Sequence, residues 1–138
     1  PFADLRSVGS VIEADRLPLG LAAQHVNPSE NGALTGEVSI PMLKRLGVTT
    51  VIVGHSERRA LYDESDAVVA SKFKAAQQAG LIPVLCVGET LEQREAGHTQ
   101  ATVQRQVAAV IDAAGVAAFG KAVFAVKGLR IEVALAHF

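Results

Sequence analysis

The stretch VIVGHSERRALYDESD, residues 51 to 66, leads from an apolar run through one glycine into His55, Ser56, Glu57, Arg58 and Arg59. Where a strand ends and a helix begins, a histidine is biased towards neutrality, because the positive end of the helix dipole disfavours imidazolium. A neutral imidazole can donate an N–H to a developing oxyanion and so polarise a carbonyl. Ser56, Glu57, Arg58 and Arg59 would then hold the turn by hydrogen bonds and charge pairs. Spacing alone favours a plainer role, in which His55 and Ser56 only satisfy backbone groups of the turn. Glu89, directly after CVG, could act as a base, but a strand-end carboxylate more often caps the next helix or pairs with an arginine. Arg58 and Arg59 could meet a phosphate. Adjacent arginines point in different directions, however, and more often form ion pairs, and no glycine-rich phosphate cradle is present. His25, His98 and His137 have no ligand spacing with one another or with Cys86, so no metal site is expected.

These residues need a scaffold, and the chain supplies one in alternating pieces. LGLAA at 19 to 23, TTVIVG at 49 to 54, LIPVLCVG at 81 to 88 and KAVFAV at 121 to 126 read as four buried strands. Between them, Val69, Phe73 and Ala76 recur at i, i+4, i+7, with Ser65 as N-cap and Gly80 just past the end. Val103, Val107, Val110 and Ile111 mark another helix, opened by Thr99 and closed near Gly115. Thr90 and Gln93 form a capping box, and Ser39, Pro41, Met42, Leu43 and Leu46 suggest one more helix, stopped by Gly47. Serial βα units with right-handed crossovers make a parallel sheet. The choice lies between a doubly wound sheet and part of a (β/α)8 barrel, and in both the ligand face lies at the carboxyl ends of the strands. NPSENGALTGE at 27 to 37 reads as a long loop on that face.

Composition narrows the function. Of 138 residues, 49% are hydrophobic, enough for one packed core, while only 4% are aromatic and none is Trp, so the core is aliphatic, as in helix-covered parallel sheets. Thirteen basic against fourteen acidic residues, without a basic stripe, argue against nucleic acid and against an anionic membrane surface. One cysteine, Cys86, cannot form an internal disulfide and fits a reducing compartment, so a cytoplasmic location is expected. No apolar run is long enough to span a membrane.

Read in order, AAQHV, GALTGEVS, VIVGHSERR, KAAQQAGLIPVLCVGETLEQREAG and VFA resemble the triosephosphate isomerase family over residues 1 to about 125. The pairing of GHSERR with CVGE at this separation is far more specific than either motif alone. The resemblance implies a (β/α)8 barrel, normally of about 250 residues, so residues 1–125 would be the central four βα units of one. It implies a cofactor-free interconversion of dihydroxyacetone phosphate and glyceraldehyde 3-phosphate through an enediol, in glycolysis and gluconeogenesis. His55 matches the electrophile, and Glu57 an acidic neighbour that supports the site. Thr35, Glu37 and Arg58 match dimer contacts, Thr35 at the tip of a loop that enters the partner subunit and Glu37 facing the partner subunit's arginine. A homodimer that binds a small phosphorylated triose is the implied assembly.

The resemblance ends abruptly. The family pattern A-Y-E-P-V-W gives way after Ala125 to Val126, Lys127, Gly128 and Leu129, so Lys127 stands where the general base belongs. An unperturbed lysine has a pKa of about 10.4 and, while protonated, takes no proton from carbon. Residues 126–138 thus read as a divergent tail of the kind a frameshift or mis-joined exon produces, with LRIEVALA as an extra edge strand in the plainer reading. Two functions follow as expectations: an isomerase segment that is inactive alone, or a non-catalytic partial barrel that docks through GALTGE and its open sheet edges.

Overall fold

A computed structural model describes residues 1–126 of the chain. After a 3-10 turn at Phe2–Asp4, the elements are α1 (Leu5–Ala14), β1 (Ala22–Ala23), α2 (Ile40–Arg45), β2 (Thr50–Val53), α3 (Ser56–Leu61), α4 (Asp66–Gln78), β3 (Ile82–Val87), α5 (Leu91–Glu95), α6 (Thr99–Ala114), a 3-10 segment at Val116–Lys121, and β4 (Val123–Val126). The four strands form one parallel sheet in the order β1-β2-β3-β4. A doubly wound sheet reverses its strand order midway; here every strand is added on the same side of the last. Right-handed crossovers then put all helices on one face, and the arrangement is that of a partial (β/α)8 barrel.

The two faces of the sheet differ in what they bury. Val51 and Val53 of β2 and Leu85 and Val87 of β3 are buried and belong to the core cluster with Val69, Phe73 and Ala76 of α4 and Val110 of α6. The alternate residues Ile52, Val84 and Cys86 are half-buried, on the face that lines a barrel's interior. Register carries this alternation across to β4, where Phe124 lies opposite Leu85 and Ala125 opposite Cys86. Phe124 stacks on Phe119 at 5.1 Å between ring centroids, and Phe119 meets Phe73 at 5.6 Å, so the helix side of β4 is closed by a short aromatic chain.

Helix boundaries follow the capping residues. Ser65 accepts from the backbone N–H of Val68 at 3.3 Å and opens α4. Thr90 and Gln93 exchange both bonds of a capping box at α5. We expect Ser65→Ala to cost about 1 kcal/mol of stability, read as a lower urea midpoint with an unchanged slope; an unchanged midpoint would show that the cap contributes nothing.

Three expectations shift. The first strand is only Ala22–Ala23, with Thr49 N–H bonding Leu21 O at 3.0 Å just outside it. In α6 the side chains sealed against the sheet are Thr102, Gln106 and Val110, while Val103 and Val107 only flank the core. Helix α1 was not anticipated: its start at Asp4 has no side-chain cap, the poor helix former Gly9 lies within it, and Leu5 is its one buried residue. LRIEVALA and the rest of the tail beyond Val126 lie outside the described residues.

Candidate active site

Gly54 directly follows β2 with φ +74°, a left-handed turn in which a Cβ would stand 2.9 Å from both Cys86 O and Val69 Cγ1. Only glycine fits without displacing the neighbouring strand. His55 follows as the N-cap of α3, and its Nδ1 accepts from the backbone N–H of Glu57 at 3.3 Å. A ring nitrogen that accepts carries no proton, so Nε2 is left to hold the N–H. The imidazole is thereby set as a donor, as carbonyl polarisation requires. His55 lines a cavity of about 180 Å³ with Gly54, Ser56, Arg59, Cys86, Gly88 and Ala125, at the carboxyl ends of β2, β3 and β4. Burial pushes the Cys86 thiol above its ordinary value, only partly offset by the Arg59 guanidinium. A thiol held in its protonated form in this way is less nucleophilic than an ordinary one.

Ion pairs hold the turn from behind. Arg59 donates through Nε to Gly54 O at 2.9 Å and through Nη1 to Asp66 Oδ1 at 2.6 Å, and Arg105 of α6 pairs with the second oxygen of Asp66. Arg58 Nε and Lys72 Nζ both donate to Glu64 Oε1, at 2.5 and 2.6 Å. The expectation that the adjacent arginines form ion pairs is met, each in its own direction. Glu89 is buried and accepts from Arg94 Nε at 2.7 Å, the structural role expected of it. Glu57 is solvent-exposed at the mouth of the turn, its carboxylate 3.7 Å from His55 Nδ1.

The loop at 27 to 37 is tied down by a network that sequence spacing did not reveal. Lys72 Nζ donates to His25 Nδ1 at 3.2 Å, which leaves Nε2–H to donate to Glu37 Oε2 at 3.1 Å, and Asn27 Nδ2 adds a second bond to that oxygen. Oε2 of Glu37 is thus engaged within its own chain, while the residue itself is exposed, as is Thr35 on the loop. Gln106 was likewise missed: its side-chain amide accepts from Gly88 N–H at 2.8 Å and donates to Gly88 O at 3.0 Å, clamping the end of β3. Neither residue matches a motif, and a buried glutamine on a helix gives no periodic signal of its own. Lys127 lies outside the described residues.

Burial and the Lys72 ammonium draw the His25 imidazole below its ordinary value, against the hydrogen bond to Glu37, which raises it. A base whose pKa falls on folding binds fewer protons folded than unfolded. Its contribution is complete above the unfolded value of about 6.5 and is lost as pH falls below it. We expect urea stability to decline between pH 7.5 and 5.5, and to decline less in His25→Asn; equal slopes would remove His25 from the account.

The family model for triosephosphate isomerase matches residues 1–127. Among curated relatives named triosephosphate isomerase, that of Alcanivorax borkumensis is 59% identical over 91% of this chain and 49% of its own length. That of Dechloromonas aromatica is 52% identical over 91% and 49%, and that of Thiobacillus denitrificans 53% identical over 91% and 50%. The chain therefore spans about half the length of the curated relatives it matches. With a partial parallel barrel, a strand-end histidine set as a donor, and a match over nearly the whole sequence, the chain belongs to the triosephosphate isomerase family.

Proposed function

We propose that the chain carries the electrophile-bearing part of an isomerase site for dihydroxyacetone phosphate and glyceraldehyde 3-phosphate. The single observation that supports this reading is the bond from Glu57 N–H to His55 Nδ1, which leaves an N–H on Nε2. When a base removes a proton from the carbon beside the carbonyl, negative charge gathers on the carbonyl oxygen. A fixed N–H directed at that oxygen lowers the barrier without reorganisation. Glu57 supports the turn, and Thr35, Glu37 and Arg58 meet a second subunit in a cytoplasmic homodimer of glycolysis and gluconeogenesis. No cofactor enters the reaction.

The base is the missing partner in this reading, because Lys127 follows the matched strand where a carboxylate is required. A general base contributes about 10²- to 10⁴-fold. The 138-residue chain, expressed in a host lacking its own isomerase, is therefore expected to show no turnover above buffer in a coupled assay of glyceraldehyde 3-phosphate. Turnover abolished by His55→Gln would overturn the assignment of Lys127 and reveal another base.

A second reading takes the chain as a partial barrel that acts by docking rather than by catalysis. It is favoured by β1 and β4, each of which pairs on one side only among the described residues, since unpaired strand edges invite partners. On that reading the chain is oligomeric and Glu37→Arg weakens its assembly; a monomer indifferent to the change would dismiss it.

A further inference from the structure

We propose that Arg59 is a positioning residue that fixes the protonation pattern of His55, an inference that rests on the electrophile role given to His55 above. Arg59 brackets that histidine. Its backbone N–H bonds His55 O at 3.1 Å, as any residue at this helical position would, and its side-chain Nε–H bonds the preceding carbonyl, Gly54 O, at 2.9 Å. The second bond is peculiar to arginine. It holds the Gly54–His55 peptide plane, and this plane decides where the His55 ring lies relative to Glu57 N–H.

That ring contact is 3.3 Å, at the long end for an N–H to nitrogen bond, so a small rotation of the turn breaks it. Without it, either ring nitrogen of a neutral imidazole is free to carry the proton. The guanidinium is itself anchored at its far end: Nη1 meets Asp66 Oδ1 on α4, and Asp66 meets Arg105 on α6. A chain of contacts thus runs from two helices of the outer layer to one peptide group at the strand end. The planar guanidinium serves two acceptors at once, Gly54 O and Asp66 Oδ1, in directions a lysine ammonium on a flexible stem does not reproduce.

The test is ¹⁵N NMR of the His55 ring in the full 138-residue chain, comparing the unaltered protein with Arg59→Lys, Arg59→Met and Arg105→Ala. The unaltered chain should show one tautomer, bare at Nδ1 and protonated at Nε2. Arg59→Lys, which keeps the charge beside Asp66, should preserve the amide spectrum of the sheet while His55 becomes a mixture of both tautomers. Arg105→Ala, which leaves Arg59 on Gly54, should keep the single tautomer. A single Nε2–H tautomer retained in Arg59→Lys would overturn the proposal, as would a proton on Nδ1 in the unaltered chain. If Arg59→Met does not fold, Arg59→Lys and the unaltered chain still decide. The spectra report on Arg59 independently of turnover, so an error in the isomerase reading would show in the activity of His55 variants and leave this result standing.

Discussion

Glu64→Leu is expected to lower the unfolding free energy by about 3–5 kcal/mol, the cost of leaving a buried charge without its partner. Glu64 and Lys72 are each only 6% exposed at the side chain. Burial alone would push the Glu64 carboxyl up, and the hydrogen bonds from Lys72 and Arg58 outweigh it, holding the group below its ordinary value. Leucine supplies volume but no acceptor, so Lys72 is stranded against His25. Arg58, at 24% side-chain exposure, can turn towards water and loses less. The pair sharpens this: Glu64→Leu with Lys72→Met should be more stable than Glu64→Leu alone, because the buried Lys72 charge is gone. Urea unfolding of the two variants checks it. A loss under about 1 kcal/mol for Glu64→Leu would place this cluster among ordinary surface ion pairs.

Gly54→Ala should cost about 2–6 kcal/mol, from two sources that act together. Backbone strain at a positive φ contributes about 1–3 kcal/mol, and forcing a methyl into a filled site about 1–3 kcal/mol. The new Cβ would meet the backbone oxygen of Cys86 and Val69 Cγ1 at 2.9 Å, and Arg59 Nη2 at 3.0 Å. The carbonyl belongs to the neighbouring strand and cannot move aside without disturbing the pairing of β2 with β3. Gly80 is the control: its φ is +81°, but an added Cβ would meet nothing within 4 Å. Gly80→Ala should therefore pay only the strain. If both alanines destabilise equally in urea, the close approach at Gly54 is not the limiting feature.

The parts of the molecule legible in the sequence are those set by short-range rules. β2, β3 and β4 begin within a residue or two of their apolar runs, because a strand buried against helices must be apolar along its length. Ser65 and the Thr90/Gln93 pair marked helix starts correctly, since a cap satisfies N–H groups two or three residues away. His55 was found because a glycine and a histidine at a strand end have an obvious place on the ligand face. What the residues alone left open is long-range. His25, Glu37, Glu64 and Lys72 meet in one network although 47 positions separate His25 from Lys72, and no spacing rule joins them. Arg59 was recognisable as an ion-pair former, yet its bond to Gly54 O depends on the left-handed turn that brings that carbonyl round. Of the buried face of α6 only Val110 was legible, because Gln106 is sealed by its hydrogen bonds to Gly88 and Thr102 by its position, not by hydrophobicity.

The most direct test of the central claim, that this segment brings a working electrophile to a triosephosphate isomerase site, is a graft. Residues 1–126 would replace the matching segment of the Alcanivorax borkumensis relative, which is 59% identical over the aligned 125 residues, and isomerisation would be measured with His55 intact and as His55→Gln. The account predicts turnover from the graft and a fall of about 10²- to 10⁴-fold in kcat on losing His55. A folded graft without activity, or one indifferent to His55→Gln, would contradict it.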